Sequence, residues 1–254
     1  MLSKKKKYLQ IALNSTLDQA QRIINQLPVN DRILIEAGTP LLKAYGETGI
    51  RRIKNWWEQK LWGTNLSPTP TKNLNQIIQL LKGNEINLLG TKPENRLFPY
   101  IIADYKAMDR GATEVGIAAR AGANAITVLG QAPVETIDLL IKACLEEKID
   151  SIVDMMNVNQ PYKVLRRLKK LPTVVMLHRG VDETDRGNKP VPIHQINKIK
   201  GTFDVLVAIG GGDTLREVQS AVFNGAEIVM VWKEFYELQD TTAQLATEFL
   251  QEVK

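Results

Sequence analysis

The chain has 254 residues, 44% of them hydrophobic and 24% charged, a composition that excludes a disordered or fibrous protein and suits one large domain, an α/β barrel included. The formal net charge is +5, part of it in the Lys4–Lys7 run, but no aromatic-interleaved basic stripe and no zinc-finger or helix-turn-helix spacing accompanies it, so no nucleic-acid partner is expected. No window approaches the roughly 20 apolar residues of a membrane span, the run after the basic start is too short for a signal peptide, and the single cysteine, Cys144, fits a reducing cytoplasm.

Tyr8–Leu13 (YLQIAL) reads as a strand, followed by helical apolar spacing over 16–27. Arg32–Glu36 (RILIE) is a second strand, with a turn at 37–40 and a helix through about Lys54. Residues 55–97 break the rhythm. They hold Trp56, Trp57 and Trp62, a Ser-Pro-Thr-Pro-Thr stretch at 67–71 and a short helical pattern at 74–82, and they read as an insertion too small to bury a core of its own. The rhythm then returns. Strands are predicted at 100–104, 123–129, 151–154, 172–178, 204–209 and 227–232, with helices near 112–121, 134–147, 161–170, 193–200, 213–223 and 240–252 and a loop at 179–192.

Eight short, almost wholly apolar strands alternating with helices describe a parallel sheet covered on both sides. The predicted architecture is a single (β/α)₈ TIM barrel over 1–254, with the 55–97 insertion between strands two and three. The competing doubly wound sheet usually carries a G-x-G-x-x-G turn after its first strand, and Asn14-Ser15-Thr16 is not one.

Barrel chemistry sits at the C-terminal ends of the strands. There the sequence places Asn14, Glu36, Asp104 with Lys106, Asp154, His178 and the glycines Gly210, Gly211 and Gly212. Side chains alternate along a strand, so Asp104 and Lys106 point to the same side, and Asp109 falls in the turn beyond. Taken singly these residues have structural explanations: Asn14 and Asp154 suit helix caps, and charged strand ends form surface ion pairs. Together they line one mouth. Glu36 and Asp104 end adjacent strands, which lie about 4.8 Å apart, so the two carboxylates can share a hard cation such as Mg²⁺ able to stabilise an enediolate. Lys106 adds positive charge, and an imidazole at His178 can move a proton near neutral pH. The triple glycine before a helix suits a phosphate.

These segments carry a resemblance. The chain resembles the 3-hexulose-6-phosphate synthases, in the superfamily that also holds orotidine 5′-phosphate decarboxylase and 3-keto-L-gulonate 6-phosphate decarboxylase. The matching pieces are EAGTPLLKAYG at 36–46, ADYKAMDRGATE at 103–114, AGANAITVLGQAPVETI at 121–137, VDMMNVNQP at 153–161, HRGVD at 178–182 and GGG at 210–212. The resemblance implies a Mg²⁺-dependent aldol addition of formaldehyde to ribulose 5-phosphate, or its reverse. It implies Glu36 and Asp104 as metal ligands, Lys106, Asp109 and Asp104 in the active-site charge network, and His178 as the proton shuttle. Asn14, Asp154, Arg179, the three glycines and Lys233 would bind substrate. A homodimer is implied, with Asp109 reaching the neighbouring site.

Three features depart from the family pattern. Asn14 stands where an aspartate is usual, Trp232-Lys233 where a glycine and often an arginine follow strand eight, and the 55–97 insertion is additional. Val181 stands where the gulonate decarboxylases place an arginine. The departures leave two other readings open: a superfamily relative that decarboxylates or epimerises another sugar phosphate, and a non-catalytic sugar-phosphate-binding barrel.

Overall fold

A computed structural model describes residues 1–63, 97–187, 189–212, 214–231, 233 and 242–253. Eight parallel strands close into a barrel in sequence order, β1 (Tyr8–Leu13), β2 (Ile33–Ala37), β3 (Ile101–Ala107), β4 (Ala125–Leu129), β5 (Asp150–Asp154), β6 (Val174–His178), β7 (Leu206–Gly210) and β8 (Ile228–Val231), with β8 pairing back onto β1. The described helices are α1 (Leu17–Gln26), α2 (Thr39–Trp62), α3 (Gly111–Ala121), α4 (Val134–Glu147), α5 (Pro161–Leu165), α6 (Val181–Gly187), α7 (Ile196–Lys200), α8 (Leu215–Phe223) and α9 (Thr242–Glu252). The (β/α)₈ barrel read from the strand rhythm is the fold of the protein.

Local signals set the helix ends. The Thr16 hydroxyl accepts from the Gln19 amide to cap α1, and Thr214 and Glu217 form a reciprocal capping box on α8. Pro40 sits in the first turn of α2, where its missing N–H costs nothing.

The strands are apolar throughout because each buries both faces. One set of side chains fills the barrel interior, among them Tyr8, Leu34, Ile102, Ala125, Ile152, Met176, Ala208 and Met230. The alternate set packs outward against the helices. Stepping two residues up from interior positions brings each strand to the mouth. Leu34 leads to Glu36, Ile102 to Asp104, Ala125 to Thr127, Ile152 to Asp154, Met176 to His178 and Ala208 to Gly210. Six consecutive strands, β2 to β7, thus deliver their last inward residues to one place by period-2 geometry alone.

Three elements differ from the sequence expectation. α2 does not stop near Lys54. It runs to Trp62 with a backbone break at Gly46, and Trp57 lies 1% exposed in the core, one helical step beyond Ile50 and Ile53. The start of the supposed insertion is therefore ordinary barrel helix. The stretch expected as a loop at 179–192 contains α6, and α5 ends at Leu165 rather than near 170. The helical pattern at 74–82 and Trp232 lie outside the described residues. No helix among the described residues is long and apolar enough to cross a membrane.

Candidate active site

A cavity of about 440 Å³ opens at the C-terminal end of the barrel. Its lining includes Asn14, Glu36, Thr39, Asp104, Lys106, His178, Arg179, Gly211, Met230 and Lys233. The size suits a small-molecule ligand.

Asp154 is the hub of the mouth. It is fully buried, and one carboxylate oxygen meets Lys106 Nζ at 3.0 Å and His178 Nδ1 at 2.8 Å. Its other oxygen accepts from the Met156 amide at 2.9 Å. Burial alone would raise the Asp154 pKa, but His178 and then Lys106 hold it well below the usual carboxylate range. An ionised Asp154 can only accept, so His178 Nδ1 carries the proton in the neutral ring and Nε2 is left for chemistry. Asp154 and His178 are therefore neither a helix cap nor an isolated structural histidine.

Lys106 reaches the hub through a local irregularity. The β3–β4 register shifts between Ala103 and Ala107, and Lys106 adopts φ +49°, in the left-handed region that a lysine seldom occupies. That backbone turns the ammonium back over the strand, 2.9 Å from the Asp104 carboxylate. Burial works against the Lys106 charge, yet Asp104, Asp154 and Glu36 together outweigh it and raise its pKa, so the ammonium persists across the neutral range. A strained backbone supporting a mostly buried cation among carboxylates marks function rather than stability, since buried ion pairs rarely exceed their desolvation cost.

Two threonines that sequence reasoning passed over hold this arrangement. The Thr127 hydroxyl accepts from the Lys106 amide at 2.9 Å and lies 2.8 Å from Asp104 Oδ1. It thus supports both the lysine's bent backbone and its partner. The Thr39 hydroxyl, at the start of α2, lies 2.7 Å from Asp104 Oδ2. The parity along β4 points to Thr127, and the Glu-x-Gly-Thr-Pro segment contains Thr39. Beside them, Gly38 comes so close to Asn14 that an added Cβ would stand 1.8 Å from its Oδ1. Only glycine lets the turn after β2 seat Asn14 at the cavity.

Glu36 is 2% exposed, and burial followed by the charge of Asp104 pushes its pKa up to about 8. Among the described residues no three His, Cys, Asp or Glu side chains converge as a cation cage. The Asp104 charge acts on Glu36, so these two neighbouring carboxylates are the residues that would hold a hard cation such as Mg²⁺. With Asp154 they place three carboxyl groups near one ammonium, so ionising Glu36 adds a negative charge there that a divalent cation would offset.

The raised Glu36 pKa has a consequence for stability. Between about 4.5 and about 8 the folded, cation-free protein keeps a proton that the unfolded chain releases, so its stability should fall as pH rises across that window. One such group contributes at most about 1.4 kcal/mol per pH unit. Urea unfolding at several pH values should show this slope in the wild type and its loss in Glu36→Gln.

Among the glycines, Gly211 lines the cavity while Gly210 serves His178. A Cβ at Gly210 would stand 3.0 Å from the imidazole Cδ2 and 2.8 Å from Met230 Cε, so the missing side chain clears the ring. Gly212 is buried and is not part of the cavity lining. Asp109 is exposed and is not part of the cavity lining; burial, and then the Asp109 charge, raises the pKa of Glu114.

The model of the orotidine 5′-phosphate decarboxylase / HUMPS family matches residues 79–245. The chain belongs to this family. Among curated relatives, the bifunctional enzyme Fae/Hps of Methanothrix thermoacetophila is 32% identical over 248 residues, covering 97% of this chain and 53% of the relative. The chain spans about half the length of the curated relatives it matches. Solved family barrels superpose along nearly the whole chain. The 3-hexulose-6-phosphate synthase of Salmonella typhimurium gives a TM-score of 0.75 at 24% identity, with 97% of this chain and 98% of that chain covered. The KGPDC of Streptococcus mutans gives 0.66 at 18% identity, with 98% of this chain and 97% of that chain covered. At these identities the superpositions establish the shared fold.

Proposed function

We propose that the chain is a lyase of the 3-hexulose-6-phosphate synthase type, which joins formaldehyde to ribulose 5-phosphate to give arabino-3-hexulose 6-phosphate, or runs the reverse. The observation that carries the reading is the single buried carboxylate of Asp154 shared by Lys106 and His178 beside the Glu36–Asp104 pair. Family membership and the names of the Fae/Hps relatives and of the Salmonella typhimurium barrel support the same reading.

In this reading His178 Nε2 takes a proton from C1 of ribulose 5-phosphate as electron density moves to the C2 oxygen. Asp154 stabilises the imidazolium so formed, and Lys106 stays protonated near the developing enediolate. C1 then attacks the formaldehyde carbon, and the proton returns from His178 to the former aldehyde oxygen. Glu36 and Asp104 would hold Mg²⁺, which would supply positive charge for the oxygens that become negative. Gly211 and Lys233 face the phosphate, and Asn14 hydrogen-bonds a sugar hydroxyl. In a homodimer, exposed Asp109 reaches the mouth of the second copy. The buried thiol of Cys144 is in keeping with a reducing cytoplasm.

The test is formaldehyde consumption by the purified protein. The reading expects loss of formaldehyde only with ribulose 5-phosphate present, abolished by chelator and restored by Mg²⁺. No consumption with Mg²⁺ supplied overturns it. Asn14 in the cavity favours one second reading, a relative acting on another sugar phosphate; a product formed without formaldehyde from a sugar-phosphate panel would identify it.

A further inference from the structure

We propose that Arg179 is a positioning residue that clamps the glycine turn after β7 against His178, so that phosphate binding and the placement of the imidazole are coupled. The inference rests on the reading above that this turn receives the substrate's phosphate.

The resemblance made Arg179 a substrate ligand, and it lines the cavity, but both of its Nη atoms have partners within the protein. Nη2 donates to the Gly211 carbonyl, and Nη1 lies 3.3 Å from the Lys189 carbonyl and 3.4 Å from Glu217 Oε1. One planar fork thereby joins the segment after β6, the turn after β7 and the first turn of α8. The backbone is docked as closely. The Arg179 amide donates to the Gly210 carbonyl at 3.1 Å, one step beyond the paired His178 and Gly210. Gly211 holds φ +79°, and a Cβ there would stand 2.3 Å from the Arg179 carbonyl oxygen. Gly210 in turn has no room for a side chain because the His178 ring occupies it. The turn and the backbone of the His178–Arg179 step are therefore docked together, with the His178 ring beside Gly210, and this is the route by which the turn and the ring are coupled. The Arg179 side chain is only 11% exposed, as a brace rather than a mobile ligand requires.

The chain has two histidines, so imidazole nitrogen NMR can resolve His178, with exposed His194 as the internal reference. Inorganic phosphate is titrated into the full chain by calorimetry and by this spectrum. For the wild type we expect phosphate to shift His178 and leave His194 unchanged. Arg179→Gln should weaken phosphate binding about tenfold, in line with loss of a charge-assisted fork, and abolish the His178 shift even at saturating phosphate. Arg179→Lys keeps the charge but not the fork, so it should lose the shift as well, and it serves if the glutamine variant does not fold. Affinity within twofold of wild type in either folded variant overturns the inference. So does weakened affinity with the His178 shift intact at saturation, which would make Arg179 a direct phosphate ligand. A wild type that does not bind phosphate overturns the reading of the glycine turn, and the inference with it.

Discussion

Asp154→Ala should abolish measurable turnover and lower folding stability by about 3–5 kcal/mol, the cost of breaking a buried ion pair by removing one partner. The residue is fully buried and serves two cationic or proton-bearing groups through one oxygen. Without it Lys106 keeps, among the described residues, only Asp104 as an ion-pair partner, and the His178 ring loses the acceptor that fixes its tautomer. Asp154→Asn separates shape from charge. It preserves volume, but an amide oxygen cannot stabilise both an ammonium and an imidazolium, so turnover should still fall by about 10³ or more. The pH dependence has a definite sign. The folded-state pKa is depressed, so the stabilisation is present above the unfolded aspartate value and is lost as pH falls through the folded one. The deficit of the asparagine variant should therefore be full at neutral pH and shrink in strong acid, as urea unfolding at both pH values would show.

Lys106→Met should lower kcat for ribulose 5-phosphate by about 10³, the usual loss when one preorganised donor to a developing oxyanion is removed. Its stability deficit should vary with pH in the same direction as that of Asp154→Asn, larger at neutral pH than in acid. Removing the ammonium takes away one of the two groups, His178 and Lys106, that hold the Asp154 pKa down, so that pKa rises toward the unfolded value. The stabilisation that ionised Asp154 gives the folded state is therefore reduced at neutral pH, and the deficit of the variant shrinks as pH falls through the carboxylate range. Methionine matches the length of the lysine stem, which keeps the packing contribution small. Unfolding curves in strong acid and at neutral pH, set beside initial rates, check both parts.

Much of this mouth was legible in the sequence because a barrel converts alternation into convergence. Once eight strands are counted, the inward parity assigns Glu36, Asp104, Asp154 and His178 to one rim without any knowledge of side-chain contacts. The same rule assigns Thr127, which was overlooked because a threonine inside an apolar run resembles ordinary strand filling. Lys106 was placed on the right side for an incomplete reason. Alternation brings it near Asp104, but the register shift and the left-handed backbone deliver the ammonium to Asp154, and no local pattern announces them. Arg179 was assigned by resemblance, whereas its partners come from three separate segments and emerge only in the fold. The helical misreadings have simple causes. α6 (VDETDRG) has too few apolar residues for a period, and the aromatic cluster around Trp57 obscured the continuation from Ile50 and Ile53.

The central claim is that these groups act together on the proton at C1 of a sugar phosphate, and deuterium exchange isolates that step from carbon–carbon bond formation. Ribulose 5-phosphate is incubated with the protein and Mg²⁺ in D₂O without formaldehyde, and C1 is followed by proton NMR. The wild type should wash deuterium into C1, with exchange lost on chelation and in His178→Asn. Absence of exchange in the folded, Mg²⁺-supplied wild type, or undiminished exchange in His178→Asn, would contradict the claim.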